Sequence, residues 1–230
     1  MTSLRRRNAE SGYPRGEETK TKIIRKAITL FGEKGFAGVS TREIASAAGV
    51  PPPSLQYYFE NKEGLYQACI EDIHASAWDA IGPVARDVED LLAANADADR
   101  LIDGYCRILE ALADFLFATP DAATRALFIA QHQAPSSRTT NKSGGKSATG
   151  RRIRDCCAAV VSRIGGPRLG DEEISVVCTT INGQLVVVHL ARQHIEDWMG
   201  WKEFTTERIE TLKAVVRRQT MVILNSYRST

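Results

Sequence analysis

Apolar residues recur every three or four positions through most of this chain, the spacing of one face of a helix. In TKTKIIRKAITLFGEKGF, Ile24, Ala27, Ile28 and Phe31 keep that spacing, and Gly35 after Lys34 supplies a stop. In VSTREIASAAGV, Ser40 and Glu43 stand three apart, as a capping box requires, which predicts a short helix from Thr41 to about Ala48 with Gly49 as a left-handed turn residue. Pro51, Pro52 and Pro53 follow, and helical spacing resumes over Ser54 to Phe59. The first four amides of a helix have no acceptor within it, so prolines there remove donors that were not in use. This helix is therefore expected to begin at Pro52 or Pro53, with a stiff entry and no side-chain cap. Asn61 is the expected cap of the next helix, which should run to about Ile81 before Gly82 and Pro83 interrupt it.

Further helices are predicted over 97–118, 120–133, 147–165, 171–195 and 204–226. No segment alternates with period two for long. The valine-rich LVVVHL lies inside the helical stripe Ile174, Val177, Cys178, Ile181, Leu185 and Val188. The fold class is accordingly all-α. Residues 1–17, with Arg5, Arg6, Arg7 and Arg15 and almost no apolar side chain, read as a mobile basic arm, and the polar APSSRTTNKSGGKSATG predicts a mobile loop over 134–149.

Composition adds two points. Residues 1–62 hold 11 Lys and Arg against 6 Asp and Glu, whereas the remainder holds 19 against 22, so a basic front end is joined to a mildly acidic body. That asymmetry points to an anionic partner for the front end. The five cysteines have no CxxC spacing, and His189 and His194 miss the three- or four-residue step that shares a helix face, so buried reduced thiols are expected and no metal or cofactor. No run approaches eighteen uninterrupted apolar residues and the first twenty residues lack a secretory apolar stretch, so a cytoplasmic protein without a membrane partner is expected. Nucleophile elbow, P-loop and dinucleotide fingerprints are missing from the sequence, which argues against an enzyme.

Two short helices joined by a glycine turn form a helix-turn-helix pattern, with Ile44, Ala45, Ala48, Val50, Leu55 and Tyr58 on its inward face. On the outer face, Ser54, Gln56 and Tyr57 could reach a major groove, where a Gln amide pairs with adenine and a Tyr ring meets a thymine methyl. Thr41, Arg42, Tyr58 and Lys62 would hold phosphates; Tyr58 serves equally well as a core aromatic, and Arg5 to Arg7 either touch DNA or form an inert tail. The stretch IIRKAITLFGEKGFAGVSTREIASAAGVPPPSLQYYFENKEGLYQA closely resembles the DNA-binding domain of the TetR family of bacterial transcription regulators. The matching marks are Phe31 with Gly35 and Phe36, STREIA, AGV and LQYYFENKEGLY. The resemblance implies a three-helix DNA-binding domain over 18–64, a helical ligand-binding and dimerisation domain over 65–230, and Gly49 to Phe59 as turn and recognition helix.

The second half is similar to the C-terminal domain of the CecR-type branch of that family, through IGGPRLGDEE, INGQLVVVHLAR and FTTERIETL, which implies a ligand cavity among the middle helices. Two recognition helices about 34 Å apart read successive major-groove faces, so a homodimer is expected. Its interface would be the stripes Ile174, Ile181, Leu185 and Val188 and Ile209, Leu212, Val216 and Ile223, unless both stripes face the protomer's own core. Polar residues set in apolar helices mark the cavity: His132, Gln133, Asn182, Gln184, His189 and Arg192, with Trp78 and Tyr105 as further lining. Structural hydrogen bonding and core packing are the competing explanations for these residues. The functional expectation is a repressor that leaves a near-palindromic operator on binding a small molecule; the alternative is an architectural or partner-assembled regulator with no effector.

Overall fold

A computed structural model describes residues 14–133 and 148–228 of the chain. The expected basic arm and the 134–149 loop lie almost wholly outside the described residues. Helix α1 (Pro14–Lys34) is followed by α2 (Thr41–Ala48) and α3 (Pro52–Phe59). The body is built from α4 (Lys62–Ala93), α5 (Ala98–Ala113), α6 (Ala122–Gln133), α7 (Ala148–Gly165), α8 (Asp171–Leu190), α9 (Arg192–Met199) and α10 (Thr206–Ser226). No strand occurs among the described residues, as the spacing predicts.

The caps act as their residue types dictate. The Ser40 side chain accepts from the Glu43 amide and the Glu43 carboxylate accepts from the Ser40 amide at 2.7 Å, closing the capping box of α2. The Ser40 amide first, then the Ser40 side chain and Lys34, hold the Glu43 carboxyl below its ordinary range. Gly49 takes φ +61°, the left-handed angle the turn needs. Helix α3 starts at Pro52 with Pro51 as an uncapped entry residue, and Asn61 caps α4 by accepting from the Gly64 amide at 2.7 Å.

Two boundaries differ from expectation. Helix α4 does not stop near Ile81 but runs through Gly82 and Pro83 to Ala93. Pro83 deprives the Asp79 carbonyl of a partner, yet both residues sit on the exposed face where water serves, while Ile81, Ala85 and Val88 gain burial against α5 and α7. Gly82 is required there, since a Cβ would lie 2.8 Å from the Trp78 ring. The helix expected over 171–195 is instead divided at Ala191, whose φ of −94° and ψ of 20° turn the chain into α9. The break brings Ile195, Trp201 and Phe204 back onto the core, where Phe204 stacks on Phe117 at 4.8 Å. Phe117 belongs to a π-helical turn, Asp114–Ala118, that ends α5.

The stripes expected to form the dimer interface are turned inward. Ile174, Ile181, Leu185, Ile209 and Val216 are buried in the protomer's own core, and Val188, Leu212 and Ile223 are partly buried against it. The opposite faces of the same helices are the uncovered ones: Val176, Val186 and Val187 on α8, and Met221 and Val222 on α10, are exposed. Helix α8 is apolar on both sides, with a mean hydropathy of 1.3 over an 18-residue stretch, high enough by length and composition to cross a bilayer, although three acidic residues open it and only one face enters the core. Ion pairs fasten α10 to α5 on its other side: Arg217 reaches Glu110 at 2.8 Å and also Asp103, and Lys213 meets Asp114 at 3.0 Å.

Candidate nucleic-acid interface

Helices α2 and α3 pack through Ile44, Ala45, Ala48 and Leu55, all buried, and Phe59 closes the domain from below. Leu55 and Phe59 are four residues apart, so both point inward and the rest of α3 is free to face out. Tyr57 is 83% exposed, the most exposed aromatic among the described residues, and Gln56 beside it is exposed as well. Tyr58 packs its ring edge-on against Tyr57 at 5.0 Å and is half-buried, with its hydroxyl beside the start of α1 at Gly16. Both readings of Tyr58 thus have a physical basis: its ring is packed and its hydroxyl reaches the edge.

Thr41, Arg42, Gln56 and Lys62 come together around a groove of about 460 Å³ between the starts of α2 and α4 and the flank of α3. Ser54 is half-buried and Tyr57 lies outside that groove. The Lys62 ammonium rests 4.5 Å above the Phe36 ring, a cation–π contact that holds it at the groove instead of leaving it free in solvent. Two residues were not anticipated. Glu60, in the groove, takes φ +62° and brings a carboxylate to the expected phosphate path. Lys22 of α1 reaches the Gly49 turn, where a Cβ would lie 3.5 Å from its Nζ. A basic residue on the α1 face next to a glycine turn was readable as a charge, but its arrival at the turn depends on the packing of α1.

The residues expected to line one ligand cavity fall in four places. Trp78 lies on the α4–α7 surface with the Arg152 and Arg86 guanidiniums 5.0 and 5.7 Å from its ring, and Arg152 pairs with Glu89 at 2.6 Å. Tyr105 is buried and donates to Asn182 Oδ1 at 3.3 Å. Desolvation pushes its hydroxyl and the neighbouring Cys157 and Cys178 thiols upward, which marks a closed core network. His132 bonds the Tyr66 hydroxyl through Nδ1 at 3.1 Å, joining α6 to the top of α4 under the DNA-binding domain. The side chain of Gln133 lies outside the described residues. For these positions the structural explanation fits the observed contacts.

His189 and Arg192 do meet. They line a cleft of about 640 Å³ between α6 and the α8–α9 break, together with Ala123, Ala126, Leu127 and Ala130. His189 is 2% exposed; burial, then the charges of Arg125 and Arg192, hold its imidazole down at about 4, against the pull of the Leu116 carbonyl. That carbonyl faces the ring without completing a hydrogen bond, and neither ring nitrogen has a partner. Arg192 stacks on Phe204 at 4.7 Å and pairs through Nε with Glu196 at 3.1 Å, but its Nη1 is buried without a partner.

The helix-turn-helix and the helical body agree with two family descriptions: Bacterial regulatory proteins, tetR family, over residues 23–69, and HTH-type transcriptional dual regulator CecR, C-terminal domain, over residues 101–227. The chain belongs to the TetR family of transcriptional regulators, with a C-terminal domain of the CecR type. It is 25% identical over 206 residues to the HTH-type transcriptional dual regulator CecR of Shigella flexneri, covering 88% of this chain and 89% of that protein. It is 45% identical to the Probable HTH-type transcriptional regulator YttP of Bacillus subtilis over 56 residues, only 24% of this chain and 27% of that protein. Among solved structures, AibR in complex with isovaleryl coenzyme A and operator DNA aligns with a TM-score of 0.64 at 14% identity, over 87% of this chain and 97% of that one. At that identity the likeness carries the fold alone.

Proposed function

We propose that this chain acts as a homodimeric repressor that leaves a near-palindromic operator when a small molecule occupies its C-terminal domain. The observation that carries this reading is the division of exposed chemistry. The recognition helix projects Gln56 and Tyr57 at one end, and α8 and α10 leave an apolar strip uncovered on the body. A second copy seated on Val176, Val186, Val187, Met221 and Val222 would remove that strip from water and set two recognition helices side by side.

The groove-reading roles follow from chemistry. Gln56 is suited to a bidentate contact with adenine and Tyr57 to apolar contact with a thymine methyl, while Thr41, Arg42 and Lys62 sit where phosphates would pass. The prolines leave α3 with few amides to offer a phosphate, so backbone contacts shift to the starts of α2 and α4. Helix α6 packs extensively on α1, and Gly32 marks their contact: a Cβ there would lie 2.9 Å from the Phe128 amide nitrogen. Movement of α6 therefore moves the DNA-binding domain, which is how occupancy of the body would change the spacing of two recognition helices. AibR, which shares the fold, was solved with both an acyl coenzyme A and its operator.

The test is selection of bound DNA from a random pool, followed by footprinting on the selected site and on the region upstream of the gene. A protected near-palindrome is expected, with affinity falling steeply as salt rises because Arg42, Lys62 and their neighbours displace counterions. Protection of no symmetric site, or an affinity indifferent to salt, would refute the reading.

A further inference from the structure

The cleft between α6 and the α8–α9 break has an unusual balance of free groups. In its wall, Arg192 Nη1 is a buried donor without an acceptor, and His189, whose ring lies against the Leu116 carbonyl, completes no hydrogen bond. Leaving such groups unsatisfied is costly, and a fitting ligand would recover part of that cost. The charges around them are already spent. Arg192 is paired with Glu196, and Arg125, behind His189, is held by Asp121, Thr119 and the Phe115 carbonyl. Asp197 adds a further carboxylate at the rim. An acid or phosphate entering here would meet two carboxylates and no unpaired cation.

The α6 wall supplies the remaining information. Ala123, Ala126, Leu127 and Ala130 present small apolar side chains along one side of the helix, and Leu127 is 45% exposed. That wall accepts a flat or extended apolar body and has no polar group to orient it. Orientation must come from the α8–α9 side, where His189 and Arg192 are the deeper polar residues and Gln193 and His194 stand at the exposed rim.

We propose that this cleft takes an uncharged amphipathic molecule, with a carbonyl oxygen of an amide, lactone or ketone accepting from Arg192 Nη1, a second polar group on His189, and an apolar body against α6. The assignment rests on the ligand-released reading above and names its effector class. An occupant inserted there would push on α6, and so on the α1–α6 contact at Gly32.

The experiment uses the full chain and a set of amides, lactones and ketones of roughly six to twelve carbons, each matched to the carboxylate of the same skeleton. Binding is measured by titration calorimetry and located by soaking crystals. The uncharged members should bind about tenfold or more tightly than their carboxylates, and Arg192→Met should reduce that binding about tenfold. Ala130→Trp, which fills the cleft without touching a polar group, should do the same, and thermal melts identify which variants are folded. Tighter binding by the carboxylates would overturn the assignment, as would binding of uncharged compounds that ignores both variants, or no binding by any of them. A mobility-shift assay on the selected operator separates the two readings. Cleft binding without operator release would sink ligand control while leaving the site. Release by a compound that both variants still bind would sink the site while leaving ligand control.

Discussion

The recognition helix and the cleft between α6 and the α8–α9 break keep their polar groups in opposite conditions. On α3, Gln56 and Tyr57 stand in solvent, where an unused hydrogen-bonding group costs nothing because water serves it. In the cleft wall, His189 and Arg192 Nη1 are buried and no protein group completes a hydrogen bond to them, the costly condition for a polar group. The first arrangement stores specificity without strain, as suits a surface that must read one DNA sequence against many. The second is an arrangement that a fitting occupant would relieve, as the proposed control of DNA binding requires.

The sharpest way to break the contrast is at the uncovered strip on the body, on which the proposed pairing of recognition helices depends. Val187→Asp places a carboxylate on that strip twice in a symmetric dimer. The expected outcome is a monomer by light scattering and a loss of operator affinity of about 100-fold or more. A dimer that survives the substitution would mean that the protomers meet elsewhere.

On the recognition helix, Gln56→Ala should cost on the order of 1–3 kcal/mol per half-site and relax preference at one base pair. Arg42→Ala should weaken all sequences alike and reduce the slope of log affinity against log salt by about one per protomer. Competition titrations with operator variants at several salt concentrations distinguish the two. If Gln56→Ala weakened every sequence equally, the division between reading and positioning residues would be wrong.

In the cleft, the buried imidazole makes stability depend on pH. The folded state holds His189 at about 4 against an ordinary value of 6.5, so the unfolded chain takes up the proton first. The contribution is complete above about pH 6.5 and is lost as pH falls toward 4. His74 and His132 are also shifted downward, chiefly by burial, and add to the same trend. Urea melts should show a loss of roughly 1–2 kcal/mol from His189 between pH 7 and 5, and His189→Leu should flatten that slope. An unchanged slope in the variant would show that the ring is not the group responsible.

The contrast also governs what could be read from residue order. The capping box at Ser40, the turn at Gly49, the cap at Asn61 and the inward pattern of α2 and α3 all lie within about four residues of their partners. The DNA-binding domain was therefore legible almost residue by residue, except for Glu60, whose left-handed backbone sets a carboxylate in the groove, and Lys22, which arrives from another helix. The body was legible as helices but not as faces. Helix α8 is apolar on both sides, so its periodicity marked a stripe without revealing which stripe the protomer buries. The break at Ala191 carries neither glycine nor proline, and α4 passes through both, because packing outweighed local preference at each point. His189 was readable as a buried polar residue; its placement opposite Ala123 to Ala130 was not, since some sixty residues separate them.

The smallest expected effect lies at the entry to α3. Ser40→Ala removes a side-chain cap from α2 and should cost about 1 kcal/mol. Pro51→Ser offers α3 the cap it lacks, yet the return should be smaller, because the amide that a cap would take, that of Ser54, already donates to the Pro51 carbonyl at 2.9 Å. The substitution also frees the unfolded chain, which a proline restricts, and that offsets part of the gain. A net change within about 0.5 kcal/mol in urea melts is therefore expected, with operator affinity nearly unaltered because Pro52 and Pro53 still withhold their amides. A stabilisation as large as the Ser40→Ala loss would show that the proline entry holds α3 under strain, and the stiff lead-in would then be a cost borne for aiming the recognition helix.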